Sequence, residues 1–408
     1  MNRKFVFALA LCAPQLMSAQ AKLTLDDAVR EALASRVSLE AESERVSVAV
    51  GLRNQARAIP NPEFQFQNEN LRPGQTYTRD VDTLAMINQP LDVLGKRRER
   101  IALSNQTVAR TRAEYDAARW EVTRRVRLAY WSARGLQEVH NVLQTTADNF
   151  QKVVDYHANQ LSVGAIAEQD LLRVRLEKER LTITANAAQI DADRARADLL
   201  KEMGRLDFAE LDLTEPMTLD RAPSAIAIEQ VLAQRAEIKS AKASLEEAQA
   251  AAKYQDTVAR PDLNLTYGYK RTQLPDAING VNTAIISVRV TLPTTDKNQG
   301  NRSAAYSEIL RREHLLKAAE NDIRMEYAAA VHDVEVRRAQ LTNSLQPLRE
   351  HAANISQIAS SAYAEGGVDL LRLLDAQRAT LDAELAWTRG LADYWQSIAR
   401  LEAAEGIE

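Results

Sequence analysis

Apolar and polar positions along this chain fall into two rhythms, and the pair of rhythms occurs twice. In the first rhythm, side chains alternate every second residue. Leu263, Leu265, Tyr267 and Tyr269 alternate with Asn264, Thr266, Gly268 and Lys270, and Ile286, Val288, Val290 and Leu292 alternate with Ser287, Arg289 and Thr291. A period of two predicts strands with one apolar and one polar face. Earlier in the chain Phe64 and Phe66 alternate with Gln65 and Gln67, and Leu84, Met86 and Ile87 punctuate 82–91. A loop carrying Pro73-Gly74 separates those two runs. Runs of about 9–11 residues suit tilted membrane-spanning strands. Taken alone, they suit soluble hairpins with one wet face equally well.

The second rhythm is helical and tips that balance. From Val122 the seam positions step by four and three through Val126, Ala129, Ala133, Leu136, His140, Leu143, Ala147, Phe150, Val154, His157 and Leu161. A sustained repeat of this kind predicts a helix that faces other helices along its whole length. No proline interrupts Lys96 to Leu161, and some 65 residues at ~1.5 Å each make roughly 100 Å of helix. The second seam runs through Tyr327, Val331, Val334, Arg338, Leu341, Leu345, Leu348, Ala352, Ile355, Ala359 and Ala362, in a phase that does not superpose on the first. Pro347 predicts a bend in it. Both helices turn back at glycine, Gly164 and then Gly366-Gly367, because glycine accepts the left-handed backbone of a helix end. The returning helices run to about Met203 and Ala404. Upstream of each strand pair, Leu23–Ala58 reads as one helix with Thr24 as its N-cap, and Ser224–Ala259 as its counterpart.

These correspondences make an internal two-fold repeat. Pro62-Glu63-Phe64-Gln65-Phe66 is answered by Pro261-Asp262-Leu263-Asn264-Leu265, about 200 residues on. The expected organisation is a signal peptide at 1–21, a first repeat at 22–204, a connector at 205–223 and a second repeat at 224–408. Each repeat holds a helix, a β-hairpin (63–91 and 262–292) and a helical hairpin (96–204 with its tip at 164, 298–404 with its tip at 366).

Composition sharpens the picture. Aromatics are 5% of the 408 residues, so apolar surface is buried along many narrow seams rather than in one bulky core. Arg3 and Lys4, the apolar run to Leu16 and the small residues Ser18-Ala19-Gln20-Ala21 read as a secretory signal. Cys12, the single cysteine, lies inside it; a lipid-attachment reading is poorly served by Leu11 before it. The net charge of −4 gives no reason to expect a nucleic-acid partner. Beyond the signal no apolar stretch reaches the ~18 residues of a spanning helix, so a membrane crossing must use strands. Four strands leave open edges in lipid, where each unpaired backbone group costs several kcal/mol. A closed barrel takes at least eight. Several protomers must therefore pool strands; three would supply twelve, and geometry alone does not exclude two or four.

At this point the chain resembles the TolC-like outer-membrane efflux proteins, the exit ducts of tripartite pumps in Gram-negative bacteria. The carrying residues are Ile59-Pro60-Asn61-Pro62, Gln89-Pro90-Leu91-Asp92 with Gly95-Lys96-Arg97, Asp296-Lys297-Asn298-Gln299-Gly300-Asn301, Val163-Gly164 through Asp170-Leu171-Leu172, and Gly366 through Leu373-Leu374-Asp375-Ala376-Gln377. The resemblance implies an α+β membrane protein whose long helical hairpins form an α-barrel and whose four strands per protomer enter a trimeric 12-stranded β-barrel. It implies a homotrimer in outer-membrane lipid, a periplasmic adaptor and an inner-membrane pump, of RND type, as partners, and no cofactor. It places adaptor contacts at Val163, Gly164, Leu171, Leu172, Gly366, Gly367, Leu373 and Leu374, and a periplasmic gate at Asp170, Asp369, Arg372 and Asp375. Two departures weaken a direct transfer of the gate. Arg372 stands where an acid is usual, and Val368 where a base is usual. Arg372 and Asp375 are spaced for a local i,i+3 ion pair.

The Pro-Asn-Pro and Asp-Lys-Asn-Gln-Gly elements look closest to the heavy-metal efflux subgroup, with drug efflux and type I secretion as alternatives. His140, His157, His314, His332 and His351 lack metal-ligand spacing, so no metal site is expected. No phosphate loop, nucleophile elbow or cysteine nucleophile marks an enzyme. The rival from another class is a soluble periplasmic coiled-coil adaptor, which accounts for the helices but not for four matched strands.

Overall fold

A computed structural model of the chain describes residues 21–71, 73, 81–220, 226–273 and 280–407. The expected signal peptide with Cys12 lies outside the described residues apart from Ala21, as do Gly74 and Pro223. In chain order the elements are β1 (Ala21–Leu23), α1 (Leu25–Ser35), α2 (Val37–Arg57), β2 (Glu63–Glu69), β3 (Asp82–Leu91), α3 (Lys96–Ser162), α4 (Glu168–Met203), β4 (Leu211–Leu213), α5 (Ile228–Gln234), α6 (Ala236–Val258), β5 (Leu263–Thr272), β6 (Val281–Val290), α7 (Gln299–Gln340), a π-helical turn (Leu341–Leu345), α8 (Gln346–Ala364) and α9 (Leu370–Glu405). Two compact units divide these elements. One gathers the described residues within Met1–Arg36, Val122–Ser224 and Val331–Leu401; the other gathers those within Val37–Glu121, Ala225–Ala330 and Glu402–Glu408. Each unit draws on both halves of the sequence.

The second unit contains a four-stranded antiparallel sheet in the order β2-β3-β5-β6. Its register lines up Phe64, Ile87, Tyr267 and Ile286 directly across the four strands. Side chains opposite one another share a face, so this row, with Phe66, Tyr269, Val288 and Val290, makes one apolar face. Gln65, Gln67, Asn88, Thr266, Ser287 and Arg289 belong to the other. The apolar face is exposed in a single chain: Phe64 is 71% exposed and Ile286 78%. β2 and β6 are paired on one side only. At the foot of the sheet Lys96 Nζ meets Asp262 Oδ1 at 2.6 Å and Arg260 donates to the Leu94 carbonyl at 2.6 Å, tying the two strand–helix junctions together.

The single helix expected over Leu23–Ala58 is instead a strand and two helices. Residues 21–23 pair in parallel with Leu211–Leu213, within the stretch expected to be a plain connector. The buried Tyr130 hydroxyl donates to the Leu23 carbonyl at 2.9 Å, and burial pushes its pKa to about 12. Thr24 does cap α1, its side chain accepting from Asp27 N at 3.2 Å. The helix then breaks at Arg36, which is extended (φ −79°, ψ 110°). Arg36 Nη1 donates to both the Glu202 carbonyl and its carboxylate, at 2.8 and 2.7 Å, closing the end of α4. The counterpart helix breaks at Arg235, whose Nη1 donates at 3.1 Å to the carbonyls of Ala403 and Ala404 at the end of α9. The Arg235 guanidinium also lies 4.6 Å over the Trp120 ring and pairs with Glu326 at 2.9 Å. Four carbonyls at a helix C-terminus lack partners; here an arginine at the break of an earlier helix donates to one of them in the first half and to two in the second.

Within the first unit α3 and α9 approach closely. A Cβ at Gly135 would lie 2.5 Å from Ala392 Cβ, and Trp131 stacks on Trp395 at 4.5 Å. The expected bend before Pro347 takes the form of the π turn, the wider turn that accommodates a residue unable to donate to the preceding turn. It also corrects the second seam. Leu341 is buried and Ala352 is buried, but Leu348 and Ile355 are exposed. The extra residue in the turn rotates the helix, so the Leu348–Ile355 row turns outward while Ala352 stays in the core.

Candidate functional site

The two hairpin tips are built alike. Gly164 (φ +71°) donates to the Leu161 carbonyl and Ala165 to that of Gln160, both at 2.9 Å. Gly366 (φ +75°) donates to the Tyr363 carbonyl at 3.1 Å and Gly367 to that of Ala362 at 2.7 Å. This paired pattern ends a helix with a residue in the left-handed region, which glycine alone occupies without strain.

Beneath the tips, Phe150, Val154, Leu171, Val174, Leu370, Leu373 and Leu374 form one buried cluster drawn from α3, α4 and α9, with Tyr363 of α8 against it. This divides the residues expected to touch an adaptor. Leu171, Leu373 and Leu374 are core residues and are not available as surface contacts. Val163, Gly164, Leu172, Gly366 and Gly367 are exposed, Val163 at 77%. Exposed Leu371 belongs with them.

The expected gate residues take different partners. Asp369 caps α9, its Oδ1 accepting from Arg372 N at 3.1 Å. Asp375 lies 3.6 Å from Arg378, not paired with Arg372; among the described residues Arg372 has no ion pair. Asp170 is 4.0 Å from Arg173. Its negative charge, after burial, helps raise the pKa of Tyr363 above the ordinary tyrosine value, so α4 and α8 meet electrostatically at the tip.

Two contacts here escaped the sequence reading. Glu177 of α4 is buried, and Arg378 of α9 grips both its oxygens, Nε at 2.9 Å and Nη2 on the other. The Arg378 hydrogen bonds hold the Glu177 carboxyl below the usual glutamate range. The pair borders a cavity of about 270 Å³ among α3, α4, α8 and α9, lined also by Phe150, Leu181 and Gln377. His157 of α3, 1% exposed, bridges to Tyr363. The available signal was a polar residue on an apolar seam: Glu177 falls between Val174 and Leu181, and His157 between Val154 and Leu161.

Among the described residues no helix is long and apolar enough to cross a membrane, and no group of three His, Cys, Asp or Glu side chains is placed to hold a metal ion. A sheet with an exposed apolar face and paired helical hairpins with glycine tips together define an outer-membrane channel subunit of the TolC type. The chain belongs to the outer membrane efflux protein family, which matches residues 28–205 and 227–406; it is an outer-membrane efflux channel with a periplasmic part. The cobalt-zinc-cadmium resistance protein CzcC of Cupriavidus metallidurans is 25% identical over 389 residues, covering 94% of this chain and 90% of that protein. Among solved structures, a membrane protein from Pseudomonas aeruginosa has a TM-score of 0.75 at 19% identity, covering 94% of this chain and 93% of its own. The channel CusC has a TM-score of 0.74 at 19% identity, covering 94% and 92%. The same family match sets aside the soluble adaptor.

Proposed function

We propose that this channel is the exit duct of a tripartite pump that expels heavy-metal cations, and that it works as a homotrimer. The observation that carries the assembly is the sheet. Its four strands have two unpaired edges and an apolar face turned to solvent in one chain, an arrangement lipid tolerates only after closure with other copies. Three copies supply a 12-stranded barrel. The helices support the same reading. Leu172, Leu176, Ile183 and Ile190 form an exposed heptad stripe on α4, and Leu348, Ile355 and Ile358 another on α8. Stripes at this spacing are coiled-coil seams awaiting a neighbour, and two different stripes on one chain suit a head-to-tail ring. The element order and the two-segment family match support an internal repeat, which we organise as 22–204, 205–223 and 224–408.

The metal cargo rests on the relative named for cobalt, zinc and cadmium resistance and on the sequence elements before β2 and α7. An adaptor engages the exposed tip residues Val163, Gly164, Leu172, Gly366 and Gly367, and an inner-membrane pump of RND type drives export. Asp170, Asp375 and Arg372 serve the periplasmic closure, with Asp369 holding the start of α9. The test is a deletion strain that keeps the partner pump. Loss of tolerance to cobalt, zinc or cadmium, restored by the intact chain and with drug tolerance unchanged, is the expected result. Loss of drug tolerance alone reassigns the cargo. Asp375→Ala combined with Arg372→Gln raises single-channel conductance in planar bilayers; unchanged conductance removes both residues from the closure.

A further inference from the structure

The two open edges of the sheet carry opposite charges on one face. β2 and β6 are each paired on one side only. The charged side chains of β2 are Glu63 and Glu69, and that of β6 is Arg289. The register sets all three on the polar face: Glu63 lies in the row of Asn88, Thr266 and Ser287, Glu69 opposite Asp82, and Arg289 opposite Asn264. In a closed barrel the apolar face meets lipid and this face lines the lumen. One chain satisfies these charges unequally. Gln65 Nε2 donates to Gln67 Oε1 at 3.0 Å, and Gln67 Nε2 to Glu69 Oε1 at 3.1 Å. Lys270 Nζ also stands 4.0 Å from Glu69. The amide donors along β2 thus run toward Glu69 and away from Glu63. Glu63 and Arg289 are both exposed, and among the described residues neither makes an ion pair or a side-chain hydrogen bond. Arg289 therefore holds five unused N–H donors, and Glu63 a carboxylate with no donor.

Closure limits how these edges can meet. β2 leaves the foot of the sheet and β6 returns to it, so copies standing side by side in one bilayer bring the two edges together antiparallel, like the pairs within the sheet. A slip of one residue would turn the apolar face inward, so Arg289 meets Glu63, Gln65, Gln67 or Glu69 of the neighbouring copy. Diagonal neighbours on one face are ~7–8 Å apart, within reach of a long side chain. Each of those registers sets Arg289 opposite a glutamate or one diagonal step from it. Glu69 already has its donors, which leaves Glu63. Joining two β6 edges would set cation against cation, and joining two β2 edges acid against acid, both destabilising. The charges therefore favour one closure, β6 to β2, head to tail. An ion pair in a water-filled lumen adds little affinity; it acts on which edges join and in which register.

We infer that Arg289 of one copy pairs with Glu63 of the next across the β6–β2 seam and so selects the edges and register that close the barrel; this rests on the homotrimer reading. The experiment uses the full chain solubilised in mild detergent, with its oligomers read by native electrophoresis. Arg289→Glu is expected to cut the oligomeric fraction about fivefold, because every seam then brings carboxylates together. Glu63→Arg is expected to do the same, and the two changes in one chain to restore most of the wild-type oligomer. Placement is read separately. With Cys12 changed to alanine, Arg289→Cys and Glu63→Cys in one chain are expected to be joined between chains by a short bis-thiol reagent. Arg289→Cys with Phe64→Cys, on opposite faces, is expected to stay unjoined. A double reversal that restores nothing overturns the pair, as does an unchanged oligomer in Arg289→Glu or cross-linking that ignores the face. Should the reversals fail to reach the membrane, the cysteine pairs decide alone. Wild type that runs only as single chains overturns the homotrimer reading, and the pair with it.

Discussion

At the residue scale, the tip is held by a few polar groups placed where apolar ones are the rule. Glu177 and Arg378 are the plainest case. Arg378→Met leaves a carboxylate buried without its donors, at a cost of about 3 kcal/mol. Glu177→Leu combined with Arg378→Met removes both charges and recovers most of that loss. Hydrogen exchange at the amides of α4 and α9 reads the difference. If the double variant is no more protected than Arg378→Met, the pair does not act as a unit. The pH dependence has a definite sign. A carboxyl whose folded pKa is depressed contributes stability above its ordinary value, and that stability is lost as pH falls through the depressed value. Protection at the tip should therefore decline below about pH 4, and Glu177→Gln should flatten the decline. The glycine positions were readable from sequence because a reversal between two helices needs a left-handed residue. Gly164→Ala is expected to weaken the tip by about 1 kcal/mol, seen as faster exchange of the amides of residues 164 and 165, which donate the two hydrogen bonds of the turn, and little change elsewhere.

At the element scale, the surprises are breaks. A 3.6-residue pattern runs smoothly through Arg36 and through Arg235, since arginine is a good helix former. What stops the helices is demand from elsewhere, the bare carbonyls at the ends of α4 and α9. The recurrence of arginine at equivalent places in both halves was the one signal available. The π turn is the converse. Pro347 announced a bend, but the rotation it imposes on Leu348 and Ile355 depends on how many residues the turn absorbs. Gly390 lies against this turn: a Cβ there would come within 2.6 Å of Leu345 Cδ1. Gly390→Val is expected to cost about 1–3 kcal/mol by overpacking, lowering the thermal midpoint, and Leu345→Ala in the same chain should recover part of it. Full additivity of the two changes argues against the contact.

At the scale of the whole molecule, the sheet decides where the protein resides. Ile286 and Ser287 are neighbours on β6 with opposite faces. Ile286→Arg places a cation in the hydrocarbon layer at a cost of about 2–4 kcal/mol near its middle, and should reduce the detergent-resistant, outer-membrane fraction severalfold. Ser287→Arg should leave that fraction near wild type. Equal sensitivity of the two sites is incompatible with a barrel wall. On α4, Ile183→Asp is expected to shift detergent-solubilised protein from the oligomer to single chains, because it sets a charge into an apolar seam.

Sequence alone determined the strands, the long helices and their glycine reversals, because period and helix-ending residues are local properties of the chain. Tertiary structure decided the rest: the breaks at Arg36 and Arg235, the burial of Leu171, Leu373 and Leu374, and the pairing of Glu177 with Arg378 and of His157 with Tyr363. Each of those joins residues far apart in the chain, and which polar group meets which across a packed seam is set by the registry of whole helices.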